Sequence, residues 1–234
     1  MSIFITGTDT GVGKTYTAVH LLRLLRAAGI KCAAMKPICC GDRRDAELLL
    51  AAGGEGFTID EINPLWLKTP AAPLVGALLE RVTVDVQRIL VAYHSLRRRV
   101  DFLIVEGVGG WLVPITEDFF VSDLAAAMDL PVLVVAANRL GCLNHSALTV
   151  RSIQERNLRC LGLALNSFEP AAASKDIAVL TNPDILKKIL KVPVIDGLRD
   201  NLSALPAAWQ SLIEQAVERG VSRVQQCCKE NKQA

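Results

Sequence analysis

The sequence predicts a single doubly wound α/β domain, a mostly parallel sheet with helices on both faces. Three observations carry this prediction. First, short apolar runs such as Phe102-Leu103-Ile104-Val105 and Val132-Leu133-Val134-Val135-Ala136 alternate with stretches of helical period. Strands that are apolar on both faces mark a parallel sheet, because the helical crossovers cover each side. Second, the chain has 234 residues, 51% hydrophobic and 21% charged, which suits one compact core. Third, the first apolar run leads directly into a glycine-rich loop and then a helix.

Residues 2–6 form a short apolar strand. Residues 14–28 follow as a helix, with Ala18, Leu21, Leu22 and Leu25 at helical spacing and Gly29 as the stop. Residues 31–35 are a second strand, and residues 46–52 a helix ended by Gly53-Gly54. Residues 57–73 contain Pro64, Pro70 and Pro73 and read as an ordered loop or extended excursion. Helices are expected near residues 74–80 and 84–96. A strand at 102–105 ends at Glu106-Gly107, and a further strand covers 131–136. A helix at 144–155 leads to a strand at 160–165, and segments at 185–190, 192–195 and 207–219 complete the series. There is no internal repeat. The domain is expected to span residues 1–222, and residues 223–234, rich in Gln, Lys and Cys, to fray.

Composition excludes several classes of function. The 26 basic and 24 acidic residues leave a net charge of +2, without the basic excess of a nucleic-acid binder. Any recognition of phosphate must be local. No run reaches 18 apolar residues, so no membrane span is expected. The first six residues lack the basic n-region of a signal peptide and read as a strand. The seven cysteines, Cys32, Cys39, Cys40, Cys142, Cys160, Cys227 and Cys228, are odd in number. They are expected to be reduced thiols in a cytoplasmic protein. The pairs Cys39-Cys40 and Cys227-Cys228 lack C-x-x-C spacing, which argues against zinc.

Chemistry enters at Gly7-Thr8-Asp9-Thr10-Gly11-Val12-Gly13-Lys14-Thr15. Strand, glycine loop, Gly-Lys-Thr and helix follow one another as a phosphate-binding loop requires. Glycines let backbone N–H groups point inward at phosphate oxygens, and the helix N-terminus adds partial positive charge. Lys14 is placed to reach the β- and γ-phosphates of ATP, and the Thr15 hydroxyl to ligate Mg²⁺. Five residues, not four, separate Gly7 from Gly13, so the match to G-x-x-x-x-G-K-[ST] is not strict.

Lys36-Pro37 closes the second strand. Strand C-termini line the ligand crevice of a parallel sheet, where a lysine can neutralise a transferring phosphoryl group. Its bland alternative is a solvated surface lysine. Glu106 closes the third strand ahead of Gly107-Val108-Gly109-Gly110 and is in position for Mg²⁺. Asp45 reads either as a first-turn helix acid or as a metal ligand, with Asp42 and Glu47 competing. His145, in a first helical turn, is expected to pack or cap. Trp66 and Trp111 are expected to wall the core or a pocket.

Four islands resemble the dethiobiotin synthetase family: residues 6–15, Lys36-Pro37, the run Val105-Glu106-Gly107-Val108-Gly109-Gly110-Trp111, and the run Leu140-Gly141-Cys142-Leu143-Asn144-His145. Asn63-Pro64, Pro70 and Pro73 form a weaker fifth, similar to the family's proline-bearing substrate loop. The resemblance runs from about residue 2 to residue 168, and the family's loop carries the same extra residue. It implies a P-loop NTPase type of fold and a homodimeric, Mg²⁺-dependent ligase. Such an enzyme joins CO₂ to 7,8-diaminopelargonic acid at the expense of ATP, through a carbamate and a carbamic-phosphoric anhydride.

By position, the resemblance assigns Lys14 and Lys36 to catalysis and Thr15, Asp45 and Glu106 to Mg²⁺. It assigns Gly11, Val12, Gly13, Lys14, Thr15, Tyr16, Asp45, Glu106, Gly107, Val108, Gly109 and Asn166 to ATP, with Asn166 reading adenine. Thr10, Lys36, Cys40, Leu143 and Asn144 fall to the substrate, whose carboxylate meets the Leu140–Asn144 turn of the other subunit. The sequence departs from the family at Gly11, where many members carry an acid, and at Cys40, where a small hydroxyl residue is common. The 40–45 loop is also short, and residues 193–199 resemble the nucleotide-base loop only loosely. The reaction needs no covalent nucleophile, so no cysteine is expected to be catalytic.

A switch ATPase of the chromosome-partition or division-site type is the rival from another class. Those carry a signature lysine near the start of the loop, where this sequence has Asp9. A related ATP-dependent amide ligase would need a glutaminase domain for which the chain is too short. A ligase of this family with an altered substrate is the third alternative.

Overall fold

A computed structural model describes residues 1–167, 175–196 and 210. In chain order the elements are β1 (Ser2–Gly7), α1 (Lys14–Ala27), β2 (Cys32–Met35), β3 (Ile38–Cys40), α2 (Arg44–Ala52), α3 (Ile59–Ile62), β4 (Leu65–Leu67) and α4 (Pro73–Glu80). They continue with α5 (Val86–Arg99), β5 (Phe102–Gly110), α6 (Val121–Ala127), β6 (Val132–Ala137), α7 (Cys142–Glu155), β7 (Cys160–Asn166), α8 (Ile177–Ile189) and β8 (Val194–Asp196).

Six strands form one parallel sheet in the order β2-β5-β1-β6-β7-β8. Every residue of β1 and β6 is buried, as continuous apolar strands under two helical layers should be. The order reverses at β1, because the chain builds β2 and β5 on one side of it and β6, β7 and β8 on the other. The crevice beyond the C-terminal end of β1 is therefore the topological switch point, where ligands of such sheets bind.

Local chemistry sets the helix ends. Gly13 and Gly141 precede α1 and α7 with φ of 93° and 92°, a left-handed backbone that glycine adopts without penalty. Asp85 accepts the Arg88 N–H at the start of α5, and Arg97, Arg98 and Arg99 fill its last turn, complementing the dipole at both ends.

The structure departs from the sequence expectation in four places. Residues 57–73 contain α3 and β4, and β4 pairs in parallel with β3 as a second, two-stranded sheet. Three-residue strands are too short to show a period. The seven-residue α6 has no counterpart in the expected series. β5 continues through its glycines to Gly110, which pairs with Gly7 after a shift in register. α8 begins at Ile177 and carries Pro183 within it. Proline removes the bond to the carbonyl four residues earlier, and Asn138 Nδ2 donates to that Val179 carbonyl at 2.9 Å. Tertiary structure thus satisfies a helix that local pattern would interrupt. Residues 207–219 and the tail at 223–234 lie outside the described set, apart from residue 210.

Candidate active site

The loop between β1 and α1 curls tightly. A Cβ on Gly7 would lie 2.7 Å from the Asp9 carbonyl oxygen and 3.0 Å from Lys14 Nζ. Gly11 and Gly13 take φ of 71° and 93°. The Thr8 N–H donates to the Val135 carbonyl at 2.9 Å, tying the loop to β6. The buried Lys14 ammonium donates to the Asp9 carbonyl at 3.1 Å. Burial, and then the nearby charge of Lys36, pull Lys14 down to about 8, against the opposing pull of Glu106 and Asp45.

Lys36 lies just beyond β2 and its Nζ donates to two carboxylates, Glu106 Oε1 at 2.5 Å and Asp45 Oδ2 at 2.9 Å. Lys36 and Glu106 are buried, whereas the Asp45 side chain is half-exposed. Burial opposes the charge on Lys36, but Glu106 and Asp45 outweigh it and hold the ammonium above the ordinary lysine value. Burial likewise opposes the charge on Asp45, while Lys36, Thr15 and Lys14 draw its carboxyl below the usual range. The Thr15 hydroxyl donates to Glu106 Oε1 at 2.8 Å. The sequence-predicted Lys14, Thr15, Lys36, Asp45 and Glu106 therefore meet as one cluster.

Among the three competing acids, Asp45 is the one whose carboxylate joins this cluster. Asp42 accepts the Arg44 N–H at 3.1 Å, turning the chain into α2, and Glu47 is exposed on α2. A cavity of about 680 Å³ opens above the cluster, and its walls include Thr10, Lys14, Cys40, Asp42, Asp45 and Val108. Gly11, Gly13, Thr15, Lys36 and Gly109 line it as well.

The fit of Mg²⁺ can be tested on the donor atoms. Glu106 Oε2 is buried and has no hydrogen-bond partner, an acceptor costly to leave bare. The Thr15 hydroxyl bonds the other oxygen of the same carboxylate, and Asp45 shares the Lys36 ammonium with it; all are hard oxygen donors. Among the described residues no three His, Cys, Asp or Glu side chains gather into a metal cage. This donor set suits Mg²⁺, which takes one or two carboxylates and completes its octahedron from phosphate and water.

Other predicted residues stand apart from the cavity. Asn166, at the end of β7, is buried and its Nδ2 donates to the Val12 carbonyl at 2.9 Å. It also approaches the Gly13 carbonyl at 3.4 Å and Thr17 Oγ1 at 3.5 Å, so in this structure its amide braces the phosphate loop. Gly107 is buried where an added Cβ would lie 3.0 Å from both Phe4 and Val121, and it serves packing. Tyr16 is exposed on α1, stacked at 6.4 Å on His20. Val12 is buried beneath the loop. Leu143 and Asn144 occupy the first turn of α7, outside this cavity.

Near them a smaller cavity of about 330 Å³ is walled by Asp9, Thr10, Trp111, His145, Leu148 and Ser152. Trp111 is buried with its indole N–H on Ser152 Oγ at 3.1 Å. Cys39 and Cys40 line the larger cavity, and burial pushes both thiols up to about 11.

Two further groups stand behind the cluster: Asn63, which opens the weaker fifth island, and Arg43, which belongs to no motif. Asn63 Nδ2 donates to the Lys36 carbonyl at 2.8 Å, and Arg43 Nε donates to Asn63 Oδ1 at 2.9 Å. The only sequence signal for Arg43 is the neighbouring Asp45. Asp9, in place of the switch lysine, pairs with Arg139 at 3.0 Å and accepts the Thr10 N–H at 2.7 Å.

A family model described as an AAA domain matches residues 1–205. The ATP-dependent dethiobiotin synthetase BioD of Akkermansia muciniphila is 44% identical over 197 residues, spanning 84% of this chain and 91% of that protein. The protein of the same name from Aromatoleum aromaticum is 38% identical over 212 residues, 87% of this chain and 92% of that one. Among solved structures, the septum site-determining protein MinD of Pyrococcus horikoshii, complexed with Mg-ADP, aligns with a TM-score of 0.52 at 17% identity over 86% of this chain and 82% of that one. The MinC:MinD complex of Aquifex aeolicus aligns at 0.55 and 16% identity, over 93% and 94%. These structural likenesses speak for the fold, a P-loop NTPase arrangement in a single α/β domain. Sequence identity sustained over most of both chains decides the family: this chain belongs to the ATP-dependent dethiobiotin synthetases, which are ligases.

Proposed function

We propose that the protein forms dethiobiotin from 7,8-diaminopelargonic acid, CO₂ and ATP. The single observation that carries this reading is Lys36, bonded to Asp45 and to the buried Glu106, and lining one cavity with Lys14, Thr15 and Asp45. One substrate amine takes up CO₂ as a carbamate and releases a proton. A carbamate oxygen attacks the γ-phosphorus of ATP, and the bond to ADP breaks. The second amine then attacks the carbonyl carbon of the mixed anhydride, closes the ureido ring and expels phosphate. The carbamate is already nucleophilic, so the protein's task is to position groups and screen charge.

Each residue has a part in that task. The loop N–H groups and the start of α1 bind the phosphates. Lys14 and Lys36 offset the charge that spreads over the transferring phosphoryl group. Thr15, Asp45 and Glu106 are the residues that would hold Mg²⁺, which when bound supplies charge neutralisation to the phosphates. Thr10 and Cys40 face the same cavity as Lys36 and are assigned to the diamine end. Leu143 and Asn144 are assigned to the substrate carboxylate of a second protomer, which makes the active form a homodimer in the cytoplasm. No helix among the described residues is long and apolar enough to cross a membrane.

The test is one assay. Purified protein is mixed with ATP, Mg²⁺, bicarbonate and the diamine, and ADP and dethiobiotin are followed by mass spectrometry. Dethiobiotin formed only when all four are present is the expected result. ATP hydrolysis indifferent to the diamine would move the reading to a switch ATPase or an altered substrate. Sedimentation at assay concentrations tests the dimer.

A further inference from the structure

Asn63 and Arg43 connect the backbone of Lys36 to the start of the helix that bears Asp45. Asn63 is 2% exposed. Its amide nitrogen donates to the Lys36 carbonyl at 2.8 Å and the Leu65 carbonyl at 2.9 Å, and its Oδ1 accepts Arg43 Nε at 2.9 Å. The Lys36 N–H meanwhile donates to the Ile62 carbonyl at 2.8 Å. The backbone that carries Lys36 is thus gripped on both sides by residues 62 and 63.

Arg43 precedes α2, whose first turn carries Asp45. Its guanidinium fans across several acceptors: Nη2 donates to the Ile59 and Asn63 carbonyls at 3.3 and 3.1 Å, and Nη1 pairs with Asp60 at 2.9 Å. The same group sits 5.2 Å over the Trp66 ring, whose indole N–H donates to the Gly41 carbonyl at 2.7 Å. One buried side chain, Asn63, is therefore bonded at once to the peptide under Lys36 and to the arginine that anchors the helix bearing Asp45.

We infer that Asn63 and Arg43 form a strap that fixes the spacing of Lys36 and Asp45, and that both are positioning residues for phosphoryl transfer; the inference rests on the role proposed above for Lys36. The physical reason is that the carboxylate contacts holding Lys36 in the resting site are not the contacts it makes in the reaction. Were its ammonium to turn to the phosphoryl group, with Asp45 and Glu106 as the residues that would hold Mg²⁺, the backbone anchor would define where Lys36 stands. A misplacement of about 1 Å in such a group costs on the order of 100-fold in rate. A lysine at position 43 has one point charge and cannot span these acceptors.

The test compares Arg43→Ala, Arg43→Lys and Asn63→Ala with the parent protein. The expected result is that kcat for dethiobiotin falls about 10- to 100-fold in Arg43→Ala. The KM for ATP and the affinity for ADP stay within about twofold. Arg43→Lys does not restore kcat. Hydrogen–deuterium exchange speeds up in residues 33–46 and 58–66 while residues 5–16 keep their protection. Should Asn63→Ala fail to fold, the Arg43 pair still decides. Parent-like kcat in Arg43→Ala overturns the strap, and so does a loss of kcat matched by equal losses of ADP affinity and Tm, which would mark a structural role only. A parent protein that makes no dethiobiotin, with the exchange change still confined to those segments, would sink the reaction assignment and leave the strap standing.

Discussion

Lys36 Nζ lies 2.5 Å from Glu106 Oε1, with the two side chains 3% and 0% exposed. A buried pair of this kind is costly to break from one side, about 3–5 kcal/mol, because the survivor is left charged and unpaired. Lys36→Ala is therefore expected to lower Tm. It should leave ATP binding mostly intact while dethiobiotin formation falls about 10²- to 10³-fold, as for loss of one transition-state charge contact. Turnover like that of the parent would remove Lys36 from the catalytic set.

Glu106→Gln keeps the shape of the side chain and removes its charge. If the unpartnered Oε2 is a magnesium ligand, the Mg²⁺ concentration for half-maximal activity should rise at least about tenfold, equivalent to about 1.4 kcal/mol. Titration with Mg²⁺ at saturating ATP measures it, and an unchanged midpoint would remove Glu106 from the ligand set.

Gly13 combines φ of 93° with an Asn166 Nδ2 that would lie 2.4 Å from an added Cβ. Gly13→Ala is expected to destabilise the fold by about 1–3 kcal/mol from backbone strain alone and to weaken ATP binding. Asn166→Ala removes the clash but not the strain, so the double variant should be less impaired than the sum of the two singles. Tm and ATP titration of the three variants check this, and simple additivity would mean that the contact is relieved some other way.

Burial holds Cys39 and Cys40 up to about 11. The reactive species is the thiolate, whose share grows as pH rises toward that value. At pH 8 it is roughly one part in a thousand, and alkylation of either thiol should accelerate about tenfold per pH unit up to about pH 10. Peptide mapping after iodoacetamide treatment, with and without ATP, gives the profile. Rapid labelling at pH 7 would contradict the burial.

Cys40→Ser places a stronger hydrogen-bond donor on the same wall of the cavity. The expected outcome is full activity with a lower KM for the diamine. A KM unchanged by Ser and by Ala would show that position 40 does not touch the substrate.

Much of this protein was legible in the chain because the relevant physics is local. The apolar runs at 102–105 and 131–136 announce buried parallel strands whatever surrounds them, since their residues have no polar face to offer water. The loop from Gly7 to Thr15 is legible because strand, glycines, Lys14 and Thr15 must be consecutive to fold around phosphate. Lys36 could be placed near that loop from the end of β2 alone, because in a parallel sheet all such ends open on one crevice; Glu106, expected to close its strand, instead lies within β5 opposite Ile5 and reaches Lys36 from inside the sheet.

Tertiary structure decided what depends on residues distant in sequence. It brought the carboxylate of Asp45 onto Lys36, since the placement of α2 turns that first-turn acid toward the end of β2. It made β3 and β4, each too short to hold without the other, and let α8 run past Pro183 by lending it the amide of Asn138. It set Asn166 against Val12, 154 residues away, and tied Arg43 through Asn63 to the backbone of Lys36. Composition and periodicity record what each segment requires of its surroundings. They do not record which partner meets that requirement, because the partner is selected by packing across the whole sheet.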